Sequence, residues 1–486
     1  MKNILKSTRK LMWMTSVLLI LAIGCTSLDE EPLDFPSPEN FYSTEDQIVS
    51  ALTGSMAALY SQWSNYSYPY QLYHTDYNDD ANLVFSASHA NWVWRAHYAA
   101  IANLNSVIQA LIDDKLGPTV SQEKKDEYMA QAKFLRGMNY FYLVRCYGDV
   151  PIITEETDLV NAEISRQPIA DVYGLIQADL LVAYNGLPEA WPEEQAGRPS
   201  KDAARALRAK VFLTMASAPL KDGSKIQDAR DMAKEVMDNG EHYLIEDVRD
   251  VFKIENDLGP ENMFSFNATE DDIATPPQIW LPGSMAFGWM DFGIAKAFSD
   301  GYPDQPRKAA YMVLEDWDGN PPEEYGWRGS PALRKYIYDD QEVLERLQST
   351  ANIPLLRFAD VLLMFAEAEN IINGGPTQAA VDAVNQIIDR ANDGVANPDH
   401  PRVTLSLSQE EFDAAVIQER LYELFYEFDR WFDLTRKEIL CDVWENRLDV
   451  KPNCDQNDYL WPIPQADLRL NSLMIQNPGY SSPGPN

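Results

Sequence analysis

Apolar side chains recur at three- and four-residue steps through much of this 486-residue chain, the spacing that gathers them on one face of an α-helix. In 124–147 the stripe is Tyr128, Ala132, Leu135, Asn139, Tyr142 and Cys146. Gly148-Asp149-Val150-Pro151 then stops it, with glycine and proline where a helix C-terminus favours them. The pattern predicts further helices over 169–185, before Gly186-Leu187-Pro188, over the alanine-rich 202–218, and over 226–239 before Gly240. Another pair is predicted over 358–372, ended by Gly374-Gly375, and 378–390. Small residues mark the packing faces: Ala203, Ala206 and Ala209; Ala229 and Ala233; Ala366 and Ala368; Ala380 and Ala383. Such faces let helices approach closely, as in stacked tetratricopeptide repeats. No unit carries that repeat's full consensus, so the assignment rests on spacing. The predicted fold is mainly α, a helical scaffold of four tetratricopeptide-like helix-turn-helix units with a loop-rich, irregular ligand-binding region.

The longest helix is expected near the C-terminus, where Ile417, Leu421, Leu424, Phe428, Trp431 and Leu434 keep a helical stripe. Glu419, Arg420, Glu423, Glu427, Arg430 and Arg436 flank it. They read as ion pairs at three- and four-residue spacing rather than as catalytic groups. Between about 250 and 350 the helical pattern fails, and Pro260, Pro276, Pro277, Pro282, Pro303, Pro306, Pro321, Pro322 and Pro331 punctuate the segment. A loop-rich stretch this long inside a compact protein usually has a job.

Aromatic residues crowd two regions without following a helical stripe. The first is 60–98, with Tyr60, Trp63, Tyr66, Tyr68, Tyr70, Tyr73, Tyr77, Phe85, Trp92, Trp94 and Tyr98. The second is 280–327, with Trp280, Phe287, Trp289, Phe292, Tyr302, Trp317, Tyr325 and Trp327. An indole or phenol face is a natural platform for the C–H face of a sugar ring, and Asp, Asn or Arg beside it can bind hydroxyls. Burial of one such face contributes roughly 1–2 kcal/mol at about 25 cal/mol per Å². Two or three platforms then give affinities of about millimolar to micromolar, which suits capture and hand-off. The candidate ligand-binding residues are Trp280, Trp289, Trp317, Trp327, Trp63, Tyr66, Trp92, Asp76 and Asn78. About half of the aromatics are expected to pack loops together instead, with Trp94 and Tyr98 foremost.

The N-terminus changes the setting. Lys2, Lys6, Arg9 and Lys10 precede an apolar run from Leu11 to Ile23, shorter than the roughly 20 residues a membrane span needs. The run ends in Leu21-Ala22-Ile23-Gly24-Cys25. A small residue before cysteine resembles a bacterial lipobox, although Ala22 stands where leucine is usual. Residues 1–24 are therefore read as a lipoprotein signal peptide, Cys25 as the lipidation site, and 25–38 as an acidic tether. Residues 39–486 are read as one helical domain with its insertion at about 250–350. Without the four basic residues of 1–24 the chain has 36 basic and 75 acidic side chains, a net charge of −39. That field opposes nucleic acid and other polyanions. Cys146, Cys441 and Cys454 remain; the last two either pair or stay as idle thiols.

Several blocks taken in order resemble the SusD/RagB family of nutrient-binding lipoproteins of Bacteroidetes. They include Leu28-Asp29-Glu30-Glu31-Pro32, Ala132-Lys133-Phe134-Leu135-Arg136 through Pro151, and Gly197-Arg198-Pro199-Ser200-Lys201. Further blocks are Ile353 to Met364 with Ala366-Glu367-Ala368, Arg430-Trp431-Phe432-Asp433-Leu434, Trp461-Pro462-Ile463-Pro464 and Gln476-Asn477-Pro478-Gly479-Tyr480. The resemblance implies a tetratricopeptide-like scaffold with a loop-rich glycan-binding face, on the outer surface of the outer membrane. It also implies partnership with a SusC-like TonB-dependent transporter, over which the protein sits as a lid. The matching blocks are mostly scaffold and carry no ligand residues with them. An alternative cargo is peptide or protein, as for RagB-like lids. An enzyme is disfavoured, because no nucleophile elbow, zinc helix, phosphate loop or dinucleotide fingerprint appears, and neither a cofactor nor a metal is expected. Mass analysis of the mature N-terminus is expected to find acyl chains on Cys25, and Cys25→Ser to release the protein from membranes. An unmodified N-terminus would reduce the leader to an ordinary secretory signal.

Overall fold

The computed structural model describes residues 41–64, 75–78, 87–158, 160, 164–268, 279–285, 288–326, 329–336, 349–446 and 454–482. Eight helices carry the scaffold: α1 (Glu45–Ser64), α2 (Ala87–Ile112), α3 (Gln122–Tyr147), α4 (Ile169–Gly186), α5 (Lys201–Ala216), α6 (Ile226–Asn239), α7 (Phe358–Asn373) and α8 (Gln378–Ala391). Each consecutive pair packs together. In addition α2 lies on α3, α4 on α5 and α6 on α7, so the four pairs stack in a row. The fourth pair joins that row although the irregular region separates it from the third in sequence.

Local signals explain the helix ends. Ser121, Ser200 and Thr377 accept hydrogen bonds from the backbone N–H groups of Lys124, Ala203 and Ala380, capping α3, α5 and α8. Gly374 ends α7 in the left-handed conformation that glycine adopts without penalty. The alanines expected on packing faces are all buried. Helices α1 and α2 carry aromatics of 60–98 that follow no helical stripe in the sequence. Tyr60 and Trp63 belong to α1, and Trp92, Trp94 and Tyr98 to α2. Helix α2 buries Ala90, Val93, Trp94, Ala96, His97, Ala100 and Ile101, a band too wide to stand out as one stripe. Tyr98 donates to the Pro151 carbonyl, so with Trp94 it serves packing, as expected.

The irregular region is held by two antiparallel pairs. Strand β1 (Asn262–Phe266) pairs with β4 (Ile353–Arg357), and the short β2 (Met312–Val313) pairs with β3 (Ala332–Leu333). Cys441 and Cys454 form a disulfide, and Cys146 is a buried free thiol. No helix among the described residues is long and apolar enough to cross a membrane.

The C-terminal helix departs from expectation. It divides into α9 (Gln409–Leu424) and α10 (Arg430–Arg436), with Tyr426 and Phe428 at positive φ between them. The break turns Phe425, Tyr426 and Phe428 into the core, where all three are buried. The carbonyls freed at the end of α9 find side-chain donors: Tyr302 Oη reaches Tyr422 O at 2.9 Å, Lys335 Nζ reaches Glu423 O at 2.6 Å, and Tyr336 Oη reaches Tyr426 O at 2.7 Å.

The flanking charges are ion-paired, but they are buried and pair mainly across the fold rather than with one another at helical spacing. Glu423 lies 2.7 Å from Arg390, 2.9 Å from Arg307 and 3.0 Å from Arg357. Glu427 joins Arg357 at 2.6 Å and Lys335 at 2.7 Å, and Glu419 joins Arg307 and His400, each at 2.6 Å. Arg420 holds Asp360 and Asp433, while Arg436 holds Glu367. Burial alone would raise the Glu423 carboxyl. Arg390, Arg357, Arg307 and Lys335 outweigh it and hold the group well below the usual carboxylate range. Glu367 is likewise kept low, against its burial, by Arg436 and Lys437. Burial brings the Lys335 ammonium down to about 8 despite Glu427 and Glu423.

Breaking a buried pair strands the surviving charge, at a cost of about 3–5 kcal/mol. Glu367→Gln is therefore expected to lower unfolding free energy by about that amount at neutral pH, measured by denaturant titration. Because the folded pKa values of Glu367 and Glu423 lie below their unfolded values of about 4.3, their stabilisation is complete above about pH 5 and fades as pH falls. The acid loss of stability is expected to be shallower in Glu367→Gln than in the wild type.

Candidate functional site

Three segments meet above the ion-pair network. Residues 75–78 lie against the insertion, where Ala295 N donates to Tyr77 O at 2.7 Å and Asn78 forms a bridge with Ile294. Tyr426, in the break between α9 and α10, packs its ring at a tilt against Tyr77 with centroids 4.6 Å apart and donates from its hydroxyl to Gly293 O at 2.6 Å. The early loop, the insertion and the C-terminal strap are thereby one packed unit.

Three residues expected to touch ligand are consumed by that packing. Trp280 is fully buried, with Phe292, Tyr336 and Tyr426 around it at centroid distances of 5.7–5.8 Å. An indole enclosed in this way cannot serve as a sugar platform; it is the core of the insertion. Asn78 is buried and accepts from the Tyr426 hydroxyl at 3.3 Å. Asp76 forms a two-pronged ion pair with Arg430, with Nε to Oδ1 at 3.1 Å and a second, shorter bond from Nη2 to Oδ2. Both polar residues therefore pin the early loop to the scaffold, Asn78 fully buried and Asp76 partly so.

Three other candidates do face solvent. Trp289 is 63% exposed, on a turn where Gly288 lets the backbone come close to Leu281 O, a position a Cβ would occupy. Trp317 is 38% exposed. Its turn is built by Asp316, whose Oδ1 accepts from Asp318 N at 3.0 Å and from Asn320 N at 2.8 Å. Trp289 and Trp317 thus both stand exposed on turns of the insertion. Trp92 is 48% exposed on α2, with the His89 ring edge-on at 5.1 Å, and stands on the scaffold. Trp63 lies in α1 with its side chain outside the described residues, as are Tyr66 and Trp327 altogether. Reading the sequence passed over Trp191 and Tyr243. The signal available for Trp191 was a tryptophan in a turn between Pro188 and Pro192.

The arrangement offers aromatic faces on firmly held turns, which fits capture of a ligand with apolar ring faces. Comparison with known proteins agrees in kind. The model of the SusD family matches residues 272–480, and the model described as starch-binding associating with outer membrane matches 38–213. The chain belongs to the SusD family. It is similar to the SusD-like protein P2 of Formosa agariphila, at 29% identity over 96% of this chain and 98% of the relative. It superposes on a SusD superfamily protein from Parabacteroides distasonis with a TM-score of 0.75 and 26% identity, covering 90% of this chain and all of the other. It also superposes on surface glycan-binding protein A from Bacteroides fluxus with a TM-score of 0.73 and 22% identity, again covering 90% and 100%.

Trp280→Ala is expected to destabilise the fold by about 3–5 kcal/mol, as for other buried large-to-small changes. Trp289→Ala should leave the unfolding midpoint close to that of the wild type. Equal losses in both variants would contradict the division into core and platform.

Proposed function

We propose that this protein is a cell-surface glycan-binding lipoprotein. It is held through Cys25 on the outer face of the outer membrane, with 25–38 as its tether and 39–486 as its binding domain. It captures oligo- or polysaccharide on exposed aromatic side chains and delivers it, without catalysis, to a SusC-like TonB-dependent transporter. The observation that carries this reading is that Trp289 and Trp317, both on the insertion, present solvent-facing indoles. Family membership, and a fold shared with a surface glycan-binding protein, support it.

The charge balance narrows the ligand. With 75 acidic against 40 basic residues in the whole chain, a polyanionic glycan would have to approach against a like-signed field. Neutral polysaccharides are therefore favoured over sulfated ones.

Calorimetric titration with a panel of neutral polysaccharides is the test. Losing one stacked ring face, worth roughly 1–2 kcal/mol, should weaken binding about 5–30-fold in Trp289→Ala or Trp317→Ala. Unchanged affinity in both variants would remove the site. Absence of heat with every glycan, together with peptides co-purifying from native membranes, would move the reading to peptide capture.

A further inference from the structure

A further cleft lies where the helical scaffold meets the start of the insertion, and none of the tryptophans of 280–327 lines it. It encloses about 510 Å³ between the 189–200 turn, the end of α6 and the 258–265 segment. That is within the size range of small-molecule sites. Trp191 forms part of its wall, fixed by a hydrogen bond from Nε1 to Pro199 O at 2.9 Å. At the rim Leu258 is 57% exposed and Tyr243 is 58% exposed. Tyr243 is not itself part of the lining; it follows the lining residue His242, and its backbone N–H bonds to the carbonyl of Pro260, which lines the cleft.

Glu189 on the lining is held by Lys201 and Arg205, and Asn239 accepts from the Glu241 backbone N–H, but two charged side chains of the cleft remain without an ion pair among the described residues. Arg198 stands 5.4 Å from the Trp191 ring centroid and makes no ion pair with any described carboxylate. Glu241 lines the cleft and is exposed. Asn262 donates from Nδ2 to Asp257 O, and its Oδ1 is buried with no hydrogen-bond donor among the described residues. Arg198 offers donors and Glu241 acceptors, so the cleft suits a ligand that both accepts and donates hydrogen bonds. An anion would meet Arg198 but be opposed by Glu241; a cation would meet Glu241 but be opposed by Arg198. A neutral polyhydroxylated ring satisfies both, and its C–H face suits the indole and phenol surfaces.

The geometry points to a second saccharide subsite in this cleft, with Trp191 and Leu258 as its apolar surfaces, Tyr243 beside its rim, and Arg198 and Glu241 binding hydroxyls. It rests on the glycan-binding reading above and adds a site that neither Trp289 nor Trp317 lines. Two sites on one chain would let a long polymer be held at two points, so that release at one does not lose the chain.

The test is titration of the full-length protein with short neutral oligosaccharides of glucose, mannose, galactose and xylose. The Trp289→Ala/Trp317→Ala variant is expected to keep weak saturable binding, and adding Arg198→Ala and Tyr243→Ala to weaken that remainder at least about tenfold. If the Trp289→Ala/Trp317→Ala variant binds nothing while the wild type binds, the second subsite is overturned and the glycan-binding reading stands. Residual binding indifferent to Arg198→Ala and Tyr243→Ala overturns it equally. A wild type that binds no probe removes both. Tyr243→Ala alone, at an exposed ring, keeps the test open should the quadruple variant fold poorly; unchanged residual affinity there counts against the subsite.

Discussion

The interaction on which the rest of this structure depends is the buried meeting of Glu423 with Arg307, Arg357 and Arg390. Each arginine belongs to a different part of the chain: Arg307 to the insertion, Arg357 to the end of β4, and Arg390 to α8. One carboxylate thus fixes the insertion, the sheet and the fourth helical pair relative to α9. Desolvating several charges together is expensive, and the arrangement is tolerable because each is compensated by close partners of opposite sign. Glu261 bridges Arg357 and Arg390 from β1's side, and Glu427 completes the set with Lys335. Apolar packing alone is not directional; a cluster of forked guanidinium–carboxylate pairs is, and it selects one placement of the insertion.

That placement explains why Trp280 and Trp289, nine residues apart, have opposite fates. Trp280 fills the space beneath the insertion with Tyr336 and Tyr426, while Trp289 stands clear of it. Anchoring the insertion from below keeps its outer turns in fixed positions while leaving their indoles open. A platform of this kind binds without first having to order itself, which favours even a weak, area-driven interaction.

Much of the scaffold was legible in the sequence because its signals are local. Gly148 and Gly374 end α3 and α7 where the pattern stops, and the alanine faces of α5 to α8 mark close packing before any coordinates are seen. The break at 425–429 was hidden because Phe428 and Trp431 keep a helical spacing across it. What breaks the helix there is distant: Tyr336, Lys335 and Gly293 offer partners that a continuous helix would forgo. Asp76 and Asn78 misled for the same reason. A polar residue beside aromatics looks like a hydroxyl binder until Arg430 and Tyr426, some 350 positions away in sequence, are seen to occupy it. The grouping of exposed tryptophans in the insertion was visible, but which of them point outward was decided by tertiary packing.

The central claim is that the insertion's outer turns, held rigidly from beneath, are where ligand is captured. Hydrogen–deuterium exchange with and without a saturating neutral polysaccharide addresses it most directly. The account predicts added protection at the backbone amides of 288–290 and 314–320, with amides of α7 and α8 unchanged. Ligand-dependent protection that leaves both turns untouched would contradict it.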